Sequence, residues 1–226
     1  MNVPAATSLT LVIANKNYSS WSMRPWVLLR ARGVPFQERM LKFESPEWRE
    51  HIAQVSPSGL VPVLWEGDPG TGFATWDTLA IAERLHELFP DRGIWPADAR
   101  LRAQARSAAA EMHSGFRALR GAMPMNIRSR YPGKGMNADV AKDIARISAL
   151  WAAATLPYLF GEFCAADAFY APVATRFVTY GVELKGSARE YQRALLDSPA
   201  VKAWSAGAIA ETEFVAEDEP YAVPSR

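Results

Sequence analysis

The chain has 226 residues, 49% apolar and 22% charged, which excludes disorder, collagen-like repeats and a disulfide scaffold. Its 25 Lys and Arg against 24 Asp and Glu leave a charge of +1, which argues against nucleic acid or an anionic membrane as partner, since both are gripped through a basic surplus. A single cysteine makes no internal disulfide and fits a reducing compartment.

In chain order, Met1 to Thr10 has no charged region, and the apolar run from Leu9 to Ala14 is too short for an export signal. No stretch reaches membrane-spanning length, so a cytoplasmic location is expected. Ser8 to Ala14 reads as a buried strand, short and β-branched. The polar turn from Asn15 leads into a helix ending near Arg32. Pro25 is expected in its first turn, with Ser20 to Ser22 as candidate N-caps. Pro35 to Leu41 reads as a second strand, and Ser45-Pro46 opens a short helix with an N-cap and a proline at N1. Val61 to Trp65 and Phe73 to Trp76 read as strands joined through Gly67-Asp-Pro-Gly70. Asp77 caps a helix running to about Phe89. The order is β-α-β-α-β-β-α, with the first two strands parallel and the last two a hairpin. Pro62 cannot donate to a ladder, so it belongs at an edge or in a special turn, with a cis Val61–Pro62 bond one option.

The character changes near residue 90. Residues 90–99 read as a linker with two prolines and a glycine. Beyond it the pattern is helical throughout: 100–122, then a loop from Gly121 to Gly135, 137–160, 166–180, 187–196 and 199–211. The acidic tail from Glu213 is expected on the surface. The chain therefore divides into 1–89, an α/β part, and 100–226, an all-α part.

Three places in the first part face the same end of its sheet: the loop Tyr18 to Ser22, the Val61-Pro62 turn and Asp77-Thr78. Helix N-termini carry free N–H groups and partial positive charge, so Ser19 or Ser20 stands where a thiolate or carboxylate is stabilised. Capping alone would equally explain these serines, and also Asp77-Thr78. Met112 and Phe116, at helical spacing, suit an apolar pocket or the core; His113 and Arg120 are candidate polar contacts there. The sequence offers no metal-ligand cluster.

The combination resembles the glutathione S-transferase family over nearly the whole chain. Ser19-Ser-Trp-Ser-Met-Arg-Pro-Trp26 is similar to the Ser-Ser-Cys-Ser-x-Arg stretch of zeta-type and related bacterial, serine-type members. Ser58-Gly-Leu-Val-Pro-Val-Leu64 is similar to the turn holding the family's cis-proline, and Asp77-Thr-Leu-Ala-Ile81 to its γ-glutamyl element. Ala165-Ala-Asp167 is similar to the helix-capping box of its second domain.

The resemblance implies a thioredoxin-like glutathione-binding domain followed by an all-α domain carrying the electrophile site. It also implies a homodimer, a role in detoxification, and glutathione as co-substrate without a metal. Ser19 matches the catalytic serine, whose hydroxyl donates to the glutathione sulfur. Ser20, Trp21, Val61, Pro62, Asp77 and Thr78 match the glutathione-binding positions. Met112, His113, Phe116 and Arg120 fall on the segment that receives a small hydrophobic electrophile. Trp21 stands where zeta-type members have Cys, and Leu60 where many have a polar residue. The first part has no cysteine, which sets aside thiolate redox chemistry on the protein itself. A glutathione-dependent maleylacetoacetate-type isomerase and a non-catalytic binding protein are the alternatives.

Overall fold

The computed structural model describes residues 8–222. The part of the export-signal reading that concerns residues 1–7 lies outside them. Strand β1 (Leu9–Ile13) is buried along its whole length, inside a four-stranded sheet ordered β2-β1-β3-β4. Strand β2 (Gln37–Met40) is parallel to β1, whereas β3 (Val63–Glu66) and β4 (Phe73–Trp76) run antiparallel to their neighbours. In register, Thr10 stands opposite Gln37 on one side and Trp65 on the other. The β-branched, apolar run of β1 suits a central strand covered on both faces.

Helices α1 (Ser20–Ala31), α2 (Pro46–Val55) and α3 (Thr78–Leu88) complete the α/β part. Six helices follow among the described residues: α4 (Ala99–Ser114), α5 (Arg117–Ala122), α6 (Ala138–Ala152), α7 (Ala165–Tyr180), α8 (Gly186–Asp197) and α9 (Pro199–Ala210). This mixed sheet with helices, followed by a helical second part, is the architecture expected from the sequence. No helix is long and apolar enough to cross a membrane among the described residues.

Helix α7 is the spine of the helical part. All of its residues except Val178 are buried, as expected of a helix apolar on every side. It packs against α1 and α4. Its first turn is fixed by Asp167, whose carboxylate accepts from Leu159 N (3.0 Å), Cys164 N (2.8 Å) and the Tyr191 hydroxyl (3.0 Å). The carboxylate thus holds the backbone at the helix start, where Cys164 replaces the usual hydroxyl N-cap. Complete burial pushes Asp167 up to about 6, against the pull of these hydrogen bonds.

Several boundaries differ from the sequence reading, each for a local reason. Pro25 is the sixth residue of α1, in the interior and not the first turn, so the Trp21 carbonyl has no helical donor. The helix expected over 100–122 breaks at Gly115, and Phe116 adopts the left-handed region (φ 54°) before α5 begins. The helix expected over 137–160 stops at Ala152; Pro157 can supply no helical N–H and disfavours a helical Leu156. The 90–99 segment buries Ile94 and Trp95 in the core, so it is a packed connection.

The tail also departs from expectation. Glu219 is buried and accepts from the hydroxyls of Tyr18 (2.7 Å) and Tyr131 (2.8 Å). Glu213 pairs with Lys42, and the Tyr221 hydroxyl donates to Ala122 O (2.7 Å). The segment therefore straps the sheet part to the helical part. Tyr18 is pushed up to about 12, first by burial and then by Glu219.

Replacing Asp167 by Ala leaves three donors unpaired, at about 1–3 kcal/mol each. Chemical denaturation should show a loss of at least about 3 kcal/mol on that basis, and a loss under about 1 kcal/mol would contradict this role. The folded value near 6 lies above the unfolded value near 3.9. This group's stabilisation is therefore complete below about pH 4 and is lost as pH rises to 6. In Asp167→Asn that slope in the melting temperature should disappear. For the tail, Glu219→Gln should bring the Tyr18 phenol down towards 10, read as an additional tyrosinate in ultraviolet titration; an unchanged titration would exclude the contact.

Candidate active site

A cleft of about 950 Å³ lies between the end of the sheet and the helical wall. On the sheet side it is lined by Ser19, Ser20, Trp21, Val61, Pro62, Asp77 and Thr78. All seven sequence-derived positions of the first part therefore meet at one surface. On the helical side it is lined by His113, Arg117, Arg120 and Arg176, and from the tail by Asp218.

Ser19 is the N-cap of α1. Its Oγ accepts from Ser22 N (3.3 Å), and its hydroxyl donates to Ser22 Oγ (2.7 Å). Ser22 Oγ in turn accepts from Ala14 N (3.2 Å), which ties the helix start to the end of β1. Ser20 is the first residue of the helix, with its side chain against the cleft. The free N–H groups of the first turn give this point a partial positive charge.

The Val61–Pro62 bond is cis. Ladder pairing of β3 begins only at Val63, so the Val61 backbone lies outside the sheet's own hydrogen bonds. The loop ahead of it is held by the Ser56 hydroxyl, which donates to Leu60 O (2.6 Å). Leu60 itself is 67% exposed at the rim.

Asp77 caps α3 with a positive φ of 72° and ψ of 137°, a backbone conformation that side-chain-bearing residues rarely adopt. One carboxylate oxygen accepts from Leu79 N (2.8 Å); the other lies 3.3 Å from His113 Nε2. Thr78 Oγ1 is 3.4 Å from His113 Nδ1 and accepts from Arg24 Nη1 at 3.4 Å. Burial lowers the His113 pKa, Arg24 and Arg120 lower it further, and Asp77 alone opposes them. A neutral imidazole has one donor and one acceptor nitrogen, so the contacts order themselves. Arg24 donates to Thr78, Thr78 donates to His113 Nδ1, and His113 Nε2–H donates to Asp77. The chain runs from a buried guanidinium to a carboxylate on the cleft wall and joins the two parts of the molecule.

The structure separates the four candidates for the electrophile site. His113 and Arg120 line the cleft, whereas Met112 and Phe116 are buried in the core and do not. The sequence reading missed Arg117, Arg176 and Asp218. Arg176 carries a readable signal, a lone cation inside the otherwise apolar α7; Asp218 carries none. No group of three or more His, Cys, Asp or Glu is arranged to hold a metal among the described residues.

Residues 18–88 match the family model described as "Glutathione S-transferase, N-terminal domain". Among curated proteins nothing matches. Three solved structures illustrate the similarity of fold. A glutathione transferase homolog from Burkholderia gl BGR1, solved with bound glutathione, is 23% identical with a TM-score of 0.68; the match covers 89% of this chain and 98% of that one. Glutathione transferase Omega 1C from Trametes versicolor is 18% identical with a TM-score of 0.69, over 90% of this chain and 94% of that one. Glutathione transferase F2 from Populus trichocarpa is 16% identical with a TM-score of 0.68, over 90% of this chain and all (100%) of the other. The architecture is thus that of glutathione transferases.

The ordered chain at His113 has a direct spectroscopic check. Its imidazole should titrate below the usual value of about 6.5 by NMR, and Asp77→Asn should lower it further by removing the one interaction that raises it. A value at or above 6.5, or a rise in the variant, would overturn the arrangement.

Proposed function

We propose that the protein binds glutathione in this cleft and transfers its sulfur to a small electrophile. The observation that carries this reading is the convergence on one surface of the α1 N-terminus, the unladdered Val61 backbone and the Asp77-Thr78 helix start. An extended peptide would pair its cysteinyl backbone with Val61, as an added strand does. Its γ-glutamyl carboxylate would take the free N–H groups at the start of α3, and its ammonium would take Asp77. The Thr78 hydroxyl is already directed to His113, which leaves the backbone N–H as that residue's donor.

The sulfur then falls at Ser19. A free thiol has a pKa of about 8.5 and is mostly protonated at neutral pH. A helix N-terminus and a hydroxyl donor both favour its thiolate. The Ser19 hydroxyl is donated to Ser22 in the unliganded arrangement. Reversing that contact, so that Ser22 donates to Ser19, frees the Ser19 proton for the sulfur while both hydroxyls keep partners. Ser22 is then a positioning residue for Ser19. The thiol proton leaves to solvent, the sulfur lone pair forms the S–C bond, and the displaced electron pair departs with the leaving group. In a conjugate addition, that pair instead moves into the acceptor and is protonated.

A hydrogen bond to a charged group is worth about 1.5–3 kcal/mol. Ser19→Ala should therefore lower kcat/KM for conjugation by about 10- to 100-fold while leaving glutathione affinity within a few-fold. Steady-state kinetics and calorimetry on the same preparations check this. Absence of binding heat with glutathione for the wild-type chain would overturn the transferase reading, and an unchanged rate in the variant would remove Ser19 from it.

A further inference from the structure

Six of the described arginines form salt bridges, and four of those that do not gather around the cleft. Away from the cleft, Arg84, Arg106 and Arg146 each make a forked pair with a glutamate, to Glu66, Glu83 and Glu111. Around the cleft, Arg24, Arg117, Arg120 and Arg176 form no salt bridge with any described residue. Two of these four are among the most buried residues of the chain, Arg24 at 1% exposure and Arg176 at 4%. Uncompensated charge in such positions is costly, so an opposite charge is expected from elsewhere.

Their remaining contacts show where that charge would come from. Arg24 is held by Thr78 and by the Trp21 ring, 4.0 Å from the guanidinium carbon, which accounts for it within the His113 chain. Arg176 is anchored through Nε to Met123 O (2.9 Å), and it lines the cleft, where its terminal nitrogens are left to serve a ligand. Arg120 is held by two carbonyls, His113 O and Gly115 O, and lies 4.8 Å over the Trp21 ring. Backbone carbonyls fix these guanidinium groups in place without neutralising them. Burial first, and then the neighbouring arginines, lowers the pKa of Arg24, Arg120 and Arg176. On this wall the cleft-lining carboxyl group is Asp218, which burial holds up to about 6 and Arg176 draws back down, so a single carboxyl group faces three arginines.

We infer that the electrophile accepted by this cleft carries a carboxylate, recognised by Arg176 and Arg120 with Arg117 at the rim. The inference rests on the transferase reading and narrows its second substrate. A planar guanidinium matches a carboxylate in a forked geometry, and here the donors are already positioned. Glutathione's γ-glutamyl carboxylate has another partner in that reading, the free N–H groups at the start of α3. Trp21 lines the cleft under the Arg120 guanidinium.

The test uses a matched pair of electrophiles with the same reactive carbon, one a free carboxylate and the other its methyl ester. The wild-type chain should favour the carboxylate by at least about tenfold in kcat/KM. Arg120→Gln and Arg117→Gln should reduce that preference, chiefly through KM for the acid, while the calorimetric affinity for glutathione stays within about twofold. Arg176→Gln should abolish the preference. Because that side chain is buried, circular dichroism accompanies it, and the two partly exposed variants decide the matter should it fail to fold. Equal rates for acid and ester in a wild-type chain that binds glutathione would overturn the inference and leave the transferase reading standing. A fall in glutathione affinity parallel to the loss of rate would assign the arginines to glutathione and overturn it as well. Lack of glutathione binding by the wild-type chain would instead remove the reading on which the inference rests.

Discussion

Helix α1 is trapped between the sheet and α7, and the cleft takes its position from that burial. An unbroken run from Ser22 to Leu29 is out of solvent. This fixes the rotation of the helix, so its N-terminus emerges beside the ends of β1 and β3. The serines stand there because the apolar body of the helix has nowhere else to go. Ser22 adds a polar tie, accepting from Ala14 N at the end of β1. A helix that rotated or slid by one residue would lose both the core contacts and the anion-favouring end of its dipole.

The same burial creates the electrostatic character of the site. Arg24 sits in the first turns of α1 and is carried inward with it, where its partners are a threonine hydroxyl and aromatic rings. In water this guanidinium would matter little. Desolvated, it dictates the direction of every hydrogen bond from Thr78 through His113 to Asp77, because a neutral histidine can donate only once. One chain of contacts orders the Asp77 carboxylate on the cleft wall and ties the helical part to the sheet part.

The C-terminal segment adds a constraint of another kind. It has no regular pattern of apolar residues, yet it delivers Glu219 to two phenols and Asp218 to the cleft wall. A buried carboxylate with two hydroxyl donors is a specific lock, since each partner would be costly to leave unpaired. The segment thus closes one side of the cleft through polar contacts, where the core closes the other through packing.

What the sequence determined by itself was local. The order of the strands and the first three helices, the caps at Ser45 and Asp77 and the special turn at Pro62 depend on groups within a few residues of one another, and periodicity or chain stereochemistry makes them legible. The cap of α1 instead falls on Ser19, one residue before the expected Ser20 to Ser22. Tertiary structure decided which side chains of the helical part face the cleft. Each residue advances about 100° around a helix, so His113 and Met112, neighbours in sequence, point to the cleft and the core respectively. The break at Gly115-Phe116 then turns Phe116 inward and sets Arg117 and Arg120 on the wall. Arg176 and Asp218 reach the same wall from segments separated by a helical hairpin and an irregular tail. Such meetings are set by long-range packing, which no local pattern encodes.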